Sequence, residues 1–222
     1  MQDDPTRFRE MTVGAFVDAL ASAAPVPGGG SASAVAASLG AGLVAMVASL
    51  SEGRPRYADH AELHARAKVA GLELSNRLLG LADEDAAAFA AFAAALKLPR
   101  ETDEQQAARA GAMRATARAA AEVPLRCVES CAEVVTQAEQ LAGRSNANAS
   151  SDLNVAALLA EAGAQGAAAN VRVNLPSVSD PAWAEATTAR LEELLARIAE
   201  LAAATRAVVA SGEPRPPLPP AV

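Results

Sequence analysis

The chain has little aromatic surface and little positive charge. Of its 222 residues only 3% are Phe, Trp or Tyr, and 19 Lys and Arg stand against 26 Asp and Glu, a net charge of −7 at pH 7. Binding nucleic acid needs cations along the phosphate backbone and aromatic faces for the bases, so no nucleic-acid partner is expected. Cysteine is as scarce: Cys127 and Cys131 sit four residues apart, where a bridge would distort a helix, and they read as free buried thiols. Nothing at the start of the chain has the pattern of a signal peptide, so the expected location is cytoplasmic. The one long uncharged run, Ser31 to Leu50, is mostly Ala, Ser and Gly and carries no interfacial Trp or Tyr. It is long enough to span a bilayer, but without anchors it reads as a central buried helix, and no membrane partner is expected.

What the chain has in excess is alanine, about 60 residues and roughly a quarter of the total, far above ordinary usage. That bias predicts helices packed closely through small side chains, and no series of alternating strands competes with it. Thr12 opens a first helix with Val13, Phe16, Val17 and Leu20 on one face, ending near Ala24 before Pro25 and Pro27. The second spans Ser31 to Leu50, with Ala32, Ala36 and Gly40 one turn apart for close approach at the middle of the bundle. A third runs from about Tyr57 to Leu96, either unbroken or bent at Gly71 and Gly80, and Pro99 closes it. Thr102 and Gln105 read as a capping box for a fourth helix reaching Leu141, kinked at Pro124. After a polar loop, Gly143 to Ser150, a fifth is capped by Ser150 or Ser151 and runs through Ala169. Asn170 to Pro176 then form an irregular link, and Pro181 starts a sixth helix that reaches about Ala210. The expected architecture is an all-α bundle of about six helices, some long and kinked, forming a homodimer. Its limits are an N-terminal segment 1–10, one helical domain 11–211, and an exposed Pro-rich tail 212–222.

Chemistry points first to Asp85, which interrupts the apolar stripe Leu74, Leu78, Leu81, Ala88, Phe89, Phe92, Leu96 on its own face of the third helix. A carboxyl facing a bundle interior loses hydration, tends to a raised pKa, and suits proton transfer near neutral pH; a structural ion pair is the alternative. Pro27, Gly28, Gly29, Gly30 and Ser31 lead straight into a helix, so they form either an anion site of free N–H groups or a plain turn with Ser31 as N-cap. Asn146, Asn148, Ser151 and Asp152 make a second polar cluster at a helix start, partly accounted for by capping and dipole compensation. His60 and His64 are spaced for one helix face, but their neighbours Asp59, Glu62 and Arg66 read as a solvated surface, and no metal site is expected. No serine or cysteine has a base and orienting acid at a known motif spacing.

Taken together, Pro25-Val26-Pro27-Gly28-Gly29-Gly30-Ser31-Ala32, the Asp85 to Phe89 stretch and Ser151-Asp152 resemble the cyclodeaminase/cyclohydrolase family of folate enzymes. Gly53 and Tyr57, Pro99, Val123-Pro124-Leu125, Gly166, Asn170-Val171 and Asn174-Leu175 agree in order, so the likeness covers nearly all of 10–210. The resemblance implies an all-helical homodimer with no prosthetic group, acting on a tetrahydrofolate that carries a one-carbon unit. It either releases ammonia from 5-formimino-tetrahydrofolate to close the 5,10-methenyl bridge or hydrolyses that bridge to 10-formyl-tetrahydrofolate. It further implies Asp85 as acid/base, Asp152 as a second carboxylate for the cationic amidine or the pterin, and Gly28 to Gly30 with Ser31 at an anionic part of the folate. Arg54, Asn146, Asn148 and Ser151 complete the implied binding set. Three features depart from the family pattern. Ser145-Asn146-Ala147-Asn148 stands where relatives show Gly-Asn-Pro-Asn, Arg54-Pro55 follows Gly53 where they show Gly-Lys, and Leu153-Asn154 replaces a small pair. A helical protein that binds folate, or another protein, without turnover is the competing class.

Overall fold

The computed structural model describes residues 7–219. Six α-helices account for most of it: α1 Val13–Leu20, α2 Gly29–Ser51, α3 Ala61–Leu96, α4 Asp103–Leu141, α5 Ser150–Asn174 and α6 Pro181–Ser211, with no strand among the described residues. Four short 3₁₀ turns, Phe8–Glu10, Pro55–His60, Ala147–Ala149 and Leu175–Ser177, sit before or between them. The first six residues of the segment 1–10, and the last three of the Pro-rich tail, lie outside the described residues.

Helix α2 packs along its length against α3 and α5, and α4 closes the layer behind them before α6 covers α4 and α5. Small residues set these distances. A Cβ at Gly71 would lie 2.8 Å from the Ala41 carbonyl oxygen, and one at Gly40 would lie 2.8 Å from that of Ala156. Gly71 is therefore where α3 touches α2, not the bend its sequence allowed, and α3 is one helix of 36 residues. The core between the helices is Ala, Val and Leu, centred on Val44, Val47, Leu74, Leu78, Val128, Val135, Leu141 and Leu153. Cys127 and Cys131 are buried in it as free thiols; the Cys127 contact, reinforced by burial, pushes the Cys131 thiol well above its usual range.

Several boundaries differ from the sequence expectation, each for a local reason. Helix α1 stops at Leu20, four residues before the expected end, and its Val13 and Val17 face outward. Gly28, not Ser31, precedes the first turn of α2, because Ser31 is drawn inward to hydrogen bond with α3. Ala149 rather than a serine precedes α5, with no side-chain cap, and α5 continues through Asn170 to Asn174. The capping box at Thr102 and Gln105 is formed in both directions. The stripe on α3 leaves the core at its end, where Phe89 and Leu96 are exposed.

Although Pro214, Pro216 and Pro217 are exposed, the tail after α6 is fastened to the α4–α5 corner. The Arg215 N–H donates to the Gly143 carbonyl at 2.8 Å, the buried Arg144 donates from Nε to the Pro216 carbonyl at 2.6 Å, and Arg215 pairs with Glu139 at 2.7 Å. Leu218 packs against the core.

Candidate active site

Asp85 sits on α3 where the start of α2 crosses it. Gly30 makes the crossing possible: a Cβ at residue 30 would fall on the Asp85 carboxyl group, so only glycine lets the two helices meet with the acid between them. Ser31, fully buried, places its Oγ 3.0 Å from the Ala82 carbonyl and 3.1 Å from Asp85 Oδ2. Burial drives the Asp85 pKa above the usual carboxylate value, and hydrogen bonds from the Ser31 hydroxyl and N–H oppose that rise without cancelling it. The geometry accommodates the acid in either protonation state. A hydroxyl has one proton, so when Ser31 donates to Ala82 its lone pairs are free to accept the proton of a neutral Asp85; ionisation turns the hydroxyl toward the carboxylate instead.

The acid opens into a cavity of about 240 Å³ lined by Pro25, Val26, Gly28, Gly29, Gly30, Phe89, Phe92, Ala120, Asn170 and Asn174. Pro27 is buried beneath the loop, after a cis Val26–Pro27 bond. Phe89 and Phe92, taken from sequence as core, form an aromatic wall. The floor depends on Pro124. Proline has no N–H, so the Ala120 carbonyl one turn back in α4 lacks its helical donor, and Asn174 Nδ2 supplies one at 2.7 Å. Asn170 Nδ2 is likewise committed to the Gly166 carbonyl at 3.0 Å. Each amide therefore has its oxygen left to accept from a ligand. Asn170 and Asn174 were not among the site residues expected from sequence; the signal was two asparagines four apart at the end of an alanine-rich helix.

The remaining sequence-predicted residues lie elsewhere in the chain. Arg54 is exposed in the turn after α2. Asn146 is buried, its N–H donating to Ser51 Oγ at 2.8 Å and its Oδ1 accepting from the Asn148 N–H at 3.2 Å. Asn148 and Ser151 are exposed, and Asp152 lies in the first turn of α5. Tyr57 joins them by accepting the Ala147 N–H at 3.0 Å. This group surrounds the C-terminal end of α2, while Gly28 to Ser31 and Asp85 surround its N-terminal end, about 30 Å away for a helix of 23 residues. Within one chain the structure brings Asp85 to the glycine loop but not to Asp152.

The two histidines are not the solvated face that their neighbours indicated. His64 is buried, with Nε2 2.8 Å from the Arg144 carbonyl, and the His60 Nδ1 is buried with no hydrogen-bond partner. Burial, with His64 next, lowers the His60 pKa. Arg56, Tyr57, His60, Ser145 and Ser150 line a second cavity of about 270 Å³ at this end.

The formiminotransferase-cyclodeaminase family model matches residues 12–193. A methenyltetrahydrofolate cyclohydrolase of Methylorubrum extorquens is 42% identical over 192 residues, covering 86% of this chain and 91% of its own. The formimidoyltransferase-cyclodeaminase of Rattus norvegicus is 37% identical over 182 residues, and the chain spans only 34% of that protein's length. Among solved structures, the formiminotetrahydrofolate cyclodeaminase of Thermotoga maritima superposes with a TM-score of 0.80 at 26% identity, over 91% of this chain and 98% of the other.

Proposed function

The chain belongs to the formiminotransferase-cyclodeaminase family, and from that premise we propose that Asp85 is the acid/base of an enzyme that closes or opens the one-carbon bridge of tetrahydrofolate. The reaction read first is cyclodeamination of 5-formimino-tetrahydrofolate. N10 attacks the formimino carbon and gives up its proton, the departing =NH nitrogen gains that proton and one more from an acid and leaves as ammonia, and the 5,10-methenyl cation remains. A carboxyl whose pKa is raised keeps its proton to higher pH and so suits the donor of that proton. The observation that carries the reading is Asp85 itself, raised in pKa by burial and seated against Gly30 and Ser31.

Phe89 and Phe92 offer a flat apolar wall to the pterin, and the asparagine oxygens accept from its ring N–H groups. The glycine loop and Ser31 bound the opposite side. The substrate brings its own one-carbon unit, so the chemistry calls for no prosthetic group. The working unit is a homodimer, a reading supported by the uncharged outer face of α2.

Cyclohydrolysis to 10-formyl-tetrahydrofolate is the second reading, favoured by the Methylorubrum extorquens relative, whose length this chain nearly spans. There Asp85 acts in its ionised form and takes a proton from the attacking water. The experiment adds purified protein to 5-formimino-tetrahydrofolate and follows the methenyl absorbance with ammonia measured in the same sample. Equal growth of both establishes cyclodeamination. Bleaching of supplied methenyl-tetrahydrofolate, with no ammonia from the formimino compound, assigns the cyclohydrolase. Binding of both folates with turnover of neither identifies a non-catalytic binder.

A further inference from the structure

The Asp85 cavity has few polar side chains, and two of them are held with one end forward. Phe89, Phe92, Pro25 and Val26 line it with carbon, while Asp85, Asn170 and Asn174 bring the polar atoms. Asp85 is engaged with Ser31. An asparagine amide has an NH₂ donor at one end and an acceptor oxygen at the other, so a free asparagine serves a ligand of either kind by turning over. Neither asparagine here is free to turn.

Asn170 is held from within its own helix, Nδ2 donating to the Gly166 carbonyl one turn back at 3.0 Å. That carbonyl is fixed in turn, because Gly166 is where α5 meets the start of α2. A Cβ at residue 166 would fall on Ser33 Oγ, which itself donates to the Gly29 carbonyl at 2.7 Å. Asn174 is held from outside. Its Nδ2 crosses to α4 and donates at 2.7 Å to the carbonyl of buried Ala120, which has no helical donor because residue 124 is proline. Turning this amide over would set its oxygen against the Ala120 oxygen and leave that carbonyl unpaired, a bias of about tenfold or more toward the oxygen-forward state. An N–H at residue 124 would satisfy the carbonyl within α4 and remove the bias.

Two acceptor oxygens one turn apart on α5 match a ring edge that presents more than one N–H. The pyrimidine edge of a pterin is such an edge, with its 2-amino group beside the ring N3–H. Asp85 comes from α3 and the asparagines from α5, so a flat ring against Phe89 and Phe92 meets the amides with that edge and leaves its other side to the acid.

We propose that Pro124 is a positioning residue for substrate selection. It acts through Asn174: by denying Ala120 a helical donor it keeps the amide oxygen toward the cavity, where Asn174 and Asn170 select a ring edge bearing N–H donors and reject one bearing a methyl group. This rests on the reading of the substrate as a tetrahydrofolate. Pro124 does not itself line the cavity. A bend in α4 that merely shapes the cavity is the alternative, and it would affect every ring alike.

The test measures, by calorimetry, the binding of 5-formyl-tetrahydrofolate and of its analogue with methyl in place of the 2-amino group. A site built to hydrogen bond a group rejects a ligand that lacks it, and the wild type should prefer the amino compound by about 100-fold. Pro124→Ala and Pro124→Ser each return an N–H to α4, so they should keep or raise the melting temperature and yet lose about tenfold of that preference. On the folate that the wild type converts, the loss should appear in KM more than in kcat, because an edge remote from the reacting carbon is bound alike in ground and transition states. Adding Asn174→Asp to Pro124→Ala supplies an acceptor whichever way the group turns, and the preference should return. Equal binding of the two ligands by the wild type overturns the proposal. So do Pro124 variants that keep the full preference or weaken both ligands by the same factor, and a double variant without rescue. A further readout needs no ligand: the Asn174 side-chain amide protons, followed by NMR, should exchange faster in the Pro124 variants than in the wild type, and equal exchange overturns the lock. A wild type that binds neither ligand defeats the tetrahydrofolate reading and the ring assigned to this edge, while the amide exchange still decides whether Pro124 orients Asn174.

Discussion

Asp85 lies against the Cα of Gly30, in the space that the side chain of any other residue at position 30 would need. One position thus sets both the helix crossing and the location of the acid. Replacing Gly30 by alanine forces the carboxyl or the helix to move, and displacements of about 1 Å at a reacting group cost on the order of 100-fold. Gly30→Ala is expected to lose about 100-fold in kcat with a smaller change in folate affinity, and overpacking should cost about 1–3 kcal/mol in urea unfolding. A Gly30→Ala enzyme with wild-type kcat contradicts the contact.

The raised pKa of Asp85 also makes stability depend on pH. Between the ordinary carboxylate value and the raised one, the folded protein holds a proton that the unfolded chain has lost. The contribution of this group is therefore full below the ordinary carboxylate range and is lost as pH rises through the folded-state value. Asp85→Asn removes that loss. Its melting temperature should exceed the wild type's at pH 7 to 8, with the difference shrinking toward zero as pH falls below about 4, the ordinary aspartate value. A difference that instead grows on acidification gives the opposite sign and refutes the raised pKa of Asp85.

Pro124 and Asn174 form a coupled pair through the Ala120 carbonyl. Asn174→Ala leaves that carbonyl without its donor and should cost about 1–3 kcal/mol. In a Pro124→Ala background the helix supplies its own N–H, so the same substitution should cost distinctly less. A double-mutant cycle in urea measures the coupling; equal costs in both backgrounds show that Asn174 does not serve as the substitute donor.

Much of the bundle is legible in the sequence because its signals are local. Thr102 with Gln105, Pro181 after Asp180 and the alanine-rich periodicity place helices within a few residues of where they lie. The errors come from contacts distant in sequence. Ser31 reads as an N-cap but turns inward because Ala82 and Asp85 lie beneath it. Gly71 reads as a bend and is a packing contact with α2. Asp85 is legible because a carboxyl interrupting a leucine stripe is a one-dimensional pattern. Asn174 is not, because its role depends on a carbonyl freed by a proline about 50 residues earlier, and Asn170 is not, because only the packing of α5 beside the start of α2 brings it to the cavity. The tail shows the same limit: its prolines exclude a helix, and nothing local announces that Arg144 and Gly143 hold it.

Removing that tail tests its attachment. Deleting residues 213–222 deprives the buried Arg144 of the Pro216 carbonyl and breaks the Arg215 contacts to Gly143 and Glu139. A loss of about 1–3 kcal/mol is expected, which for a chain of this size lowers the melting temperature by several degrees, about 2–4 °C per kcal/mol. An unchanged melting temperature shows that the tail is not held in solution.

The most direct test of the account is the turnover of Asp85→Asn beside the wild type on 5-formimino-tetrahydrofolate, read by methenyl absorbance, with folate affinity measured on the same samples. General acid–base catalysis contributes about 100- to 10,000-fold. The account predicts a loss of kcat in that range with affinity nearly unchanged. An Asp85→Asn protein that turns over at the wild-type rate contradicts it.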